Sequence, residues 1–260
     1  MKGMMMHRPL RVADILTYAA EVHPEGEIVS VRTEGGIHRT TYAGLAGRVA
    51  QLAHGLEAQG VRMGDRIATL AWNGYRHLEL YYAISGIGAV CHTINPRLFD
   101  EQITFIVNHA ADRWILTDVA FVPKLEQLAG TFEGVEGFII LTDEAHMPDT
   151  SLPNAMCYER LLADAAPEFD WPELDENEAC GLCYTSGTTG NPKGVLYSHR
   201  ANVLHAYGCA MPDSLCLSAR DVLLPVVPMF HANSWGVTYA APMVGAKLVL
   251  PGPKLADGRL

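Results

Sequence analysis

The segment 184–194 (YTSGTTGNPKG) contains residue types that bind anions. It has three glycines, four serine or threonine hydroxyls, one lysine and no acidic residue. Glycine allows the backbone to turn so that N–H groups approach an anion closely, while hydroxyls donate hydrogen bonds and Lys193 supplies positive charge. The segment therefore predicts a binding site for a polyphosphate.

The same segment differs from the phosphate loop of the P-loop NTPases. In that loop a serine or threonine follows the lysine and a helix begins there, whereas Pro192 and Gly194 flank Lys193. A flexible surface turn is the alternative interpretation. It is disfavoured because the loop is rich in hydroxyls and joins two apolar segments that resemble strands. The first of these strands would present the loop at its carboxyl end, where open α/β sheets bind ligands.

Composition excludes several classes of protein. The chain of 260 residues is 49% hydrophobic and carries a net charge of −10, so a packed core is expected and a nucleic-acid-binding protein is disfavoured. Residues 1–11 lack the apolar run of a secretory signal. Segments 80–96 and 222–246 are low in charge but are interrupted by Gly, Pro and His, which predicts buried core and no transmembrane span. We expect a cytoplasmic protein, with a peripheral position at the membrane as an alternative.

Short apolar runs alternate with segments of helical periodicity, which predicts an α/β fold of layered βαβ units with mostly parallel sheets. The predicted helices are 12–22, 43–59, 75–85, 100–109 (capped by Asp100), 122–128, 158–163, 201–209 and one around Tyr239. The predicted strands are 27–32, 36–39, 66–71, 90–94, 114–117, 138–141, 179–184, 195–197, 222–225 and 247–250. We divide the chain into a first α/β portion, 1–170, and a portion 171–260 with the phosphate loop and the start of a second α/β portion.

Cys180 and Cys183 form a C-x-x-C pair, which is compatible with half a zinc site, a redox pair or buried structural thiols. No second pair follows, and the motif lies in a predicted strand instead of at the start of a helix, as a redox pair requires. Buried thiols in a reducing compartment are therefore favoured. His199 and His205 lie six residues apart, on different faces of a helix, and no metal is assigned to them.

The segment 184–194 resembles the phosphate-loop signature of the adenylate-forming superfamily, which comprises acyl-CoA synthetases, luciferases and adenylation domains. Other segments resemble the fatty-acyl-CoA synthetase branch, and with Trp235 they are similar to the bacterial medium- and long-chain enzymes. These segments are 64–71 (GDRIATLA), 92–97 (HTINPR), 195–200 (VLYSHR), 226–231 (VVPMFH) and 248–253 (LVLPGP). The resemblance covers the chain from about Val12 to its end and implies part of the large N-terminal domain of this fold.

The resemblance implies a reaction in two steps. A fatty-acid carboxylate attacks the α-phosphate of ATP to give an acyl-adenylate and pyrophosphate, and the thiol of coenzyme A then displaces AMP. The positions that would bind ATP and its phosphates are Thr185, Ser186, Gly187, Thr188, Thr189, Gly190, Lys193, His231, Ala232 and Trp235. Thr185 would coordinate Mg²⁺, and His231 and Lys193 would be catalytic.

Trp235 follows His231 by the spacing of one helical turn, and the resemblance makes it the gate of an acyl tunnel. Without the resemblance, His231 would more commonly be a core histidine and Trp235 a core aromatic residue.

Family members extend further, through a lid domain that carries the catalytic lysine. We therefore expect the isolated 260 residues to show no acid-dependent ATP–pyrophosphate exchange. Two alternatives stay open: a short-chain or aryl acid–CoA ligase, and an inert fragment that binds only nucleotide or a partner. A homodimer is a further expectation.

Overall fold

The structure is a computed structural model and describes residues 1, 3–185 and 191–257. Its helices are α1 (Val12–Val22), α2 (Tyr42–Ala58), α3 (Tyr75–Gly86), α4 (Asp100–Ala110), α5 (Val122–Leu128), α6 (Tyr158–Leu162), α7 (His199–Ala210), α8 (Ala232–Trp235), α9 (Val237–Val244) and α10 (Lys254–Asp257). Its strands are β1 (Glu27–Val31), β2 (Ile37–Thr41), β3 (Arg66–Leu70), β4 (Val90–Thr93), β5 (Asp112–Thr117), β6 (Gly137–Ile140), β7 (Ala155–Cys157), β8 (Ala179–Thr185), β9 (Lys193–Ser198), β10 (Val222–Leu223) and β11 (Lys247–Leu250).

The larger sheet has seven strands in the order β7-β6-β5-β3-β4-β8-β9. All neighbouring pairs are parallel except β8 and β9, which are antiparallel. Parallel strands with helices on both faces are buried on both sides, and β4 and β6 accordingly have every residue buried. β6 (GFII) is a continuous apolar run, whereas β4 (VCHT) also buries His92 and Thr93. The predicted α/β class with mostly parallel sheets is confirmed.

The smaller sheet has four strands in the order β10-β11-β1-β2. β1 and β2 form the predicted antiparallel hairpin, and β11 joins β1 in parallel. Both sheets thus contain strands from before and after residue 170. The carboxyl ends of β3, β10 and β11 meet near Asn73, which forms an isolated bridge with Gly252.

Helix α3 is the centre of the core. Each of its twelve residues is buried. The low-charge segment 80–96 thus comprises the second half of this internal helix and the buried strand β4. Its one acidic side chain, Glu79, bonds to Arg48 Nε over 2.6 Å and accepts from the Tyr158 hydroxyl over 2.5 Å. No helix in the described part of the chain is long and apolar enough to cross a membrane.

The local differences from the predicted elements have physical reasons. Asp100 is the first residue of α4 and Phe99 is its N-cap, with the Gln102 side chain accepting from the Phe99 amide at 3.2 Å. Strand β7 was not predicted because it has only three residues and lies in a segment rich in proline and acidic residues. Its pairing with β6 alone makes it a strand.

Candidate active site

Strands β8 and β9 hold the two ends of the glycine-rich loop. Thr185 and Lys193 are paired across the antiparallel ladder, and the Thr185 hydroxyl lies 3.5 Å from the Lys193 carbonyl oxygen. Both residues are exposed. The loop therefore begins and ends at one point, the carboxyl end of β8, beside β4 in the sheet. Ser186, Gly187, Thr188, Thr189 and Gly190 lie outside the described residues, and their role in phosphate binding stays a prediction.

The segment that precedes His231 crosses the same edge of the large sheet. The Thr93 hydroxyl at the end of β4 lies 3.4 Å from the Phe230 carbonyl oxygen and 3.3 Å from Cys183 Sγ. Cys183 lies two residues before Thr185 in β8. These contacts place the backbone next to His231 beside the strand that carries the phosphate loop. The His231 side chain is exposed.

Ala232 to Trp235 form a left-handed turn, whereas the sequence predicted ordinary helical spacing between His231 and Trp235. The φ angles of these four residues lie between 45° and 55°, and Gly236 follows at 72°. Left-handed backbone is unfavourable for residues with a Cβ and persists only where surrounding contacts hold it. Ser234 Oγ donates to the Val227 carbonyl over 2.7 Å, and Thr238 Oγ1 donates to the Asn233 carbonyl over 3.2 Å.

A groove of about 370 Å³ lies between this turn and helix α7. It is lined by Tyr197, Ala201, Asn202, His205, Ala232, Asn233, Trp235 and Gly236. Trp235 is 60% exposed, so the interpretation as a core aromatic residue is wrong. Its side chain borders the groove, and its role as the gate of an acyl tunnel stays a prediction.

His205 and Asn202 contribute to this groove, although sequence reasoning assigned them no role. His205 Nε2 lies 3.2 Å from the Trp235 carbonyl oxygen, and Asn202 Oδ1 accepts from Asn233 Nδ2 over 3.3 Å. Both lie on the face of α7 that meets the turn. The helical spacing of three between them was a signal in the sequence, but the partner across the groove was not visible.

The C-x-x-C pair lies in β8, as predicted, and both thiols are buried and free. Burial raises the pKa of Cys180 to about 12 and also raises the pKa of Cys183. A thiol with a raised pKa is a poor nucleophile and a poor metal ligand at neutral pH. Cys180 Sγ accepts from Asn202 Nδ2 over 3.1 Å. The prediction of structural thiols is confirmed.

Two buried titratable groups lie at the carboxyl edge of the large sheet. Burial raises the pKa of Asp118 to about 7, and its Oδ2 accepts from the Trp72 amide over 2.8 Å. Burial lowers the pKa of His77 to about 4, and its ring bonds to the Thr69 hydroxyl over 2.9 Å. The His77 imidazole is therefore neutral at neutral pH, whereas the Asp118 carboxyl is partly protonated there because its pKa is close to 7.

The structure thus groups the predicted residues in two sets. Thr185 and Lys193 meet at the loop, and Ala232 and Trp235 border the groove. The Thr93 hydroxyl connects the two sets, because it contacts Cys183 near the end of β8 and the Phe230 carbonyl just before His231. The loop that is predicted to bind phosphates thus lies on one side of the site and the groove on the other, an arrangement with room for a nucleotide next to a second substrate.

Several known proteins are similar in sequence to this chain. A medium-chain-fatty-acid–CoA ligase of Ectopseudomonas oleovorans is 51% identical over 99% of this chain and 47% of the relative's length. A 3-methylmercaptopropionyl-CoA ligase of Ruegeria pomeroyi is 48% identical over 98% and 47%. A long-chain-fatty-acid–CoA ligase of Thermus thermophilus is 47% identical over 98% and 46%.

The chain therefore spans about half the length of these relatives. The crystal structure of an anthranilate CoA ligase with anthranoyl-AMP superposes with a TM-score of 0.82 at 20% identity, over 96% of this chain and 46% of that one. That likeness shows the fold of the N-terminal part of adenylate-forming enzymes. The model of the AMP-binding enzyme family matches residues 16–260, and the chain belongs to that family.

Proposed function

We propose that this chain serves the ATP-dependent activation of a medium- or long-chain fatty acid to an acyl-adenylate and then to acyl-CoA, with release of AMP and pyrophosphate. The observation that carries the proposal is the meeting of two features at the end of β8. The glycine-rich loop begins there at Thr185, and the groove bordered by Trp235 opens from the adjoining segment. ATP and coenzyme A would be the co-substrates.

Lys193 and the loop would bind the β- and γ-phosphates of ATP. The Lys193 side chain is exposed and makes no ion pair with a carboxylate in the part of the chain that the structure describes. A positive charge in such a place stabilises the negative charge that develops on the pyrophosphate leaving group. His231 would orient the acyl carboxylate beside the α-phosphate, and Ala232 would line the same position.

Thr185 fits the predicted role of a Mg²⁺ ligand. Its hydroxyl is exposed, and its partner, the Lys193 carbonyl oxygen, is 3.5 Å away, which is long for a hydrogen bond. A hydroxyl at that position can therefore take another partner, and Mg²⁺ commonly shares a few protein oxygens with the phosphates of its substrate. When bound, the ion would neutralise charge on the phosphates.

The groove and Trp235 would receive the acyl chain. The names of two relatives, a medium-chain and a long-chain fatty-acid–CoA ligase, support this substrate class. A short-chain or aryl acid is the second candidate, because Tyr197, Asn202 and His205 give the groove polar walls. The Ruegeria relative is named for 3-methylmercaptopropionyl-CoA, whose acyl group is short.

Four further points belong to this proposal. The acidic net charge of −10 supports a cytoplasmic protein. The large domain of the complete enzyme would continue beyond the 171–260 portion and be followed by a lid domain. A homodimer stays a prediction, and so does binding of a partner or nucleotide by an otherwise inert fragment.

The test is ATP–pyrophosphate exchange with acids of graded chain length. Two proteins would be compared: this chain alone, and this chain followed by the second half of the Ectopseudomonas relative. We expect exchange with medium- and long-chain acids in the second protein and none in the first. Lys193→Met should lower exchange by about 10²–10³-fold, while Lys254→Met, at another exposed lysine, should not.

Exchange with short or aryl acids alone would favour the second candidate. Absence of exchange with every acid, in a fused protein that is folded by circular dichroism, would contradict the proposed function.

A further inference from the structure

Asn73, which follows β3, uses its buried side chain to hold the segment 225–229. It is 0% exposed. Its Nδ2 donates to the carbonyl oxygens of Pro225 and Val227, each over 2.9 Å, and its Oδ1 accepts from the Met229 amide over 2.6 Å. Both amide hydrogens and the oxygen of one side chain are thus bonded to alternate residues of one segment. Both N–H donors and the carbonyl oxygen of the buried amide thus have hydrogen-bond partners, which fixes the orientation of the Asn73 side chain against the segment.

The same residue connects the two sheets. Its own carbonyl oxygen accepts from the Gly252 amide over 2.8 Å, just after β11. Pro225 comes just after β10, in the same four-stranded sheet, whereas Asn73 extends from β3 of the seven-stranded sheet. The Asn73 side chain thus ties 225–229 to the end of β3, and the Tyr81 hydroxyl of α3 also donates to the Met229 carbonyl.

The segment needs side-chain partners because it cannot form a ladder with a strand. Pro225 and Pro228 have no N–H, and 225–229 belongs to neither sheet. The segment continues through His231 into the left-handed turn. Ser234 Oγ donates to the Val227 carbonyl, which is the same oxygen that Asn73 holds. One carbonyl thus links the Asn73 side chain to the turn that presents Trp235.

We propose that Asn73 is a positioning residue for the acid-activation site: by bonding to 225–229, it sets where His231 and the left-handed turn with Trp235 lie relative to the phosphate loop. The catalytic consequence rests on the proposed function, whereas the structural consequence does not. Asn73 touches neither substrate site directly. Its action passes through the backbone of Val227 and Met229.

The test measures deuterium exchange of backbone amides and the indole ¹⁵N–¹H signals of the 260-residue chain. The variants are Asn73→Ala, which removes all three bonds, and Asn73→Asp, which keeps the shape and the acceptor but replaces the donors. Asn108→Ala is the matched control, because Asn108 likewise holds a loop by bonds to the Thr131 carbonyl and the Glu133 amide. The Trp235 signal is identified with Trp235→Phe.

We expect amides in 229–236 to exchange about tenfold faster or more in both Asn73 variants, as the loss of two or three hydrogen bonds predicts. The Trp235 indole signal should shift, and amides in α2 and α4 should keep their protection. Asn108→Ala should affect only residues near 129–133. Unchanged exchange in 229–236, or equal acceleration throughout the chain, would overturn the proposal, since the second result describes a residue that only stabilises the fold.

A kinetic measurement separates this inference from the proposed function. In the fused protein described above, Asn73→Asp should lower kcat for adenylate formation about tenfold or more. It should change the KM for ATP by a smaller factor, because Thr185 and Lys193 on β8 and β9 keep their places while His231 and the turn are displaced. An unchanged kcat in an active fused protein would overturn the catalytic part. If the native fused protein activates no acid, the proposed function fails, while the exchange result still decides the role of Asn73 in positioning the turn.

Discussion

Gly236 is the position where the left-handed turn tolerates least change, and Gly236→Ala tests why. Its φ is +72°, so any Cβ is strained there. In addition, a Cβ would lie 2.9 Å from His205 Nε2 and closer still to Cδ2. Displacement of the His205 ring would break the bond of its Nε2 to the Trp235 carbonyl. The substitution therefore combines backbone strain with a steric conflict in the wall of the groove.

The two contributions can be separated by a control at Gly60. Its φ is +78°, almost the same, and a Cβ there would meet nothing within 4 Å. Gly60→Ala should thus show the backbone cost alone, about 1–2 kcal/mol. Gly236→Ala should cost this amount plus about 1–3 kcal/mol for overpacking against His205. The expected loss of unfolding free energy is then about 2–5 kcal/mol.

Urea unfolding followed by circular dichroism measures both variants, and the double variant Gly236→Ala with His205→Ala completes the set. Removal of the imidazole should recover most of the additional cost at Gly236. Equal destabilisation by Gly236→Ala and Gly60→Ala, or no recovery in the double variant, would refute the contact between the ring and the turn.

Three other predictions concern stability. Trp235→Ala should lower the unfolding free energy by less than about 1 kcal/mol because Trp235 is 60% exposed. Trp114→Ala should lower it by about 3–5 kcal/mol because Trp114 is only 5% exposed. Similar melting temperatures for the two variants would contradict this. Arg48→Met leaves the buried Glu79 carboxylate without its cationic partner and should cost about 3–5 kcal/mol in urea unfolding, while Glu79→Gln with Arg48→Met should recover part of it. Burial lowers the pKa of His77 to about 4, so as the pH falls below about 6.5 the unfolded chain binds the proton before the folded chain does. This residue therefore lowers the unfolding free energy by about 1.4 kcal/mol for each pH unit between 6.5 and 4. His77→Gln should remove that slope, and an unaltered pH dependence of the unfolding free energy between pH 6.5 and 4.5 would rule out a buried neutral imidazole.

Much of the fold was predictable because its signals are local. Helix α1 and strand β11 begin and end where the hydrophobic pattern predicted them, since an apolar periodicity bounded by polar or turn residues defines both ends of an element. The glycine-rich loop could be singled out for a different reason, and its binding of phosphates stays a prediction. Its chemistry depends on backbone N–H groups, hydroxyls and one amine within eleven consecutive residues, 184–194, so no distant partner is needed to identify it.

The sequence alone thus determined the α/β class and the position of the glycine-rich loop, and the family resemblance of its segments named His231 and Trp235 as candidates. Only the tertiary structure decided how these candidates are placed. The left-handed turn at 232–235 has no local signal, because residues with a Cβ adopt that backbone only when contacts such as Ser234 with Val227 stabilise it. Asn73 could likewise not be singled out from the sequence, because its hydrogen-bond partners lie more than 150 residues away. Which backbone groups bond to a buried amide is decided only when the chain folds.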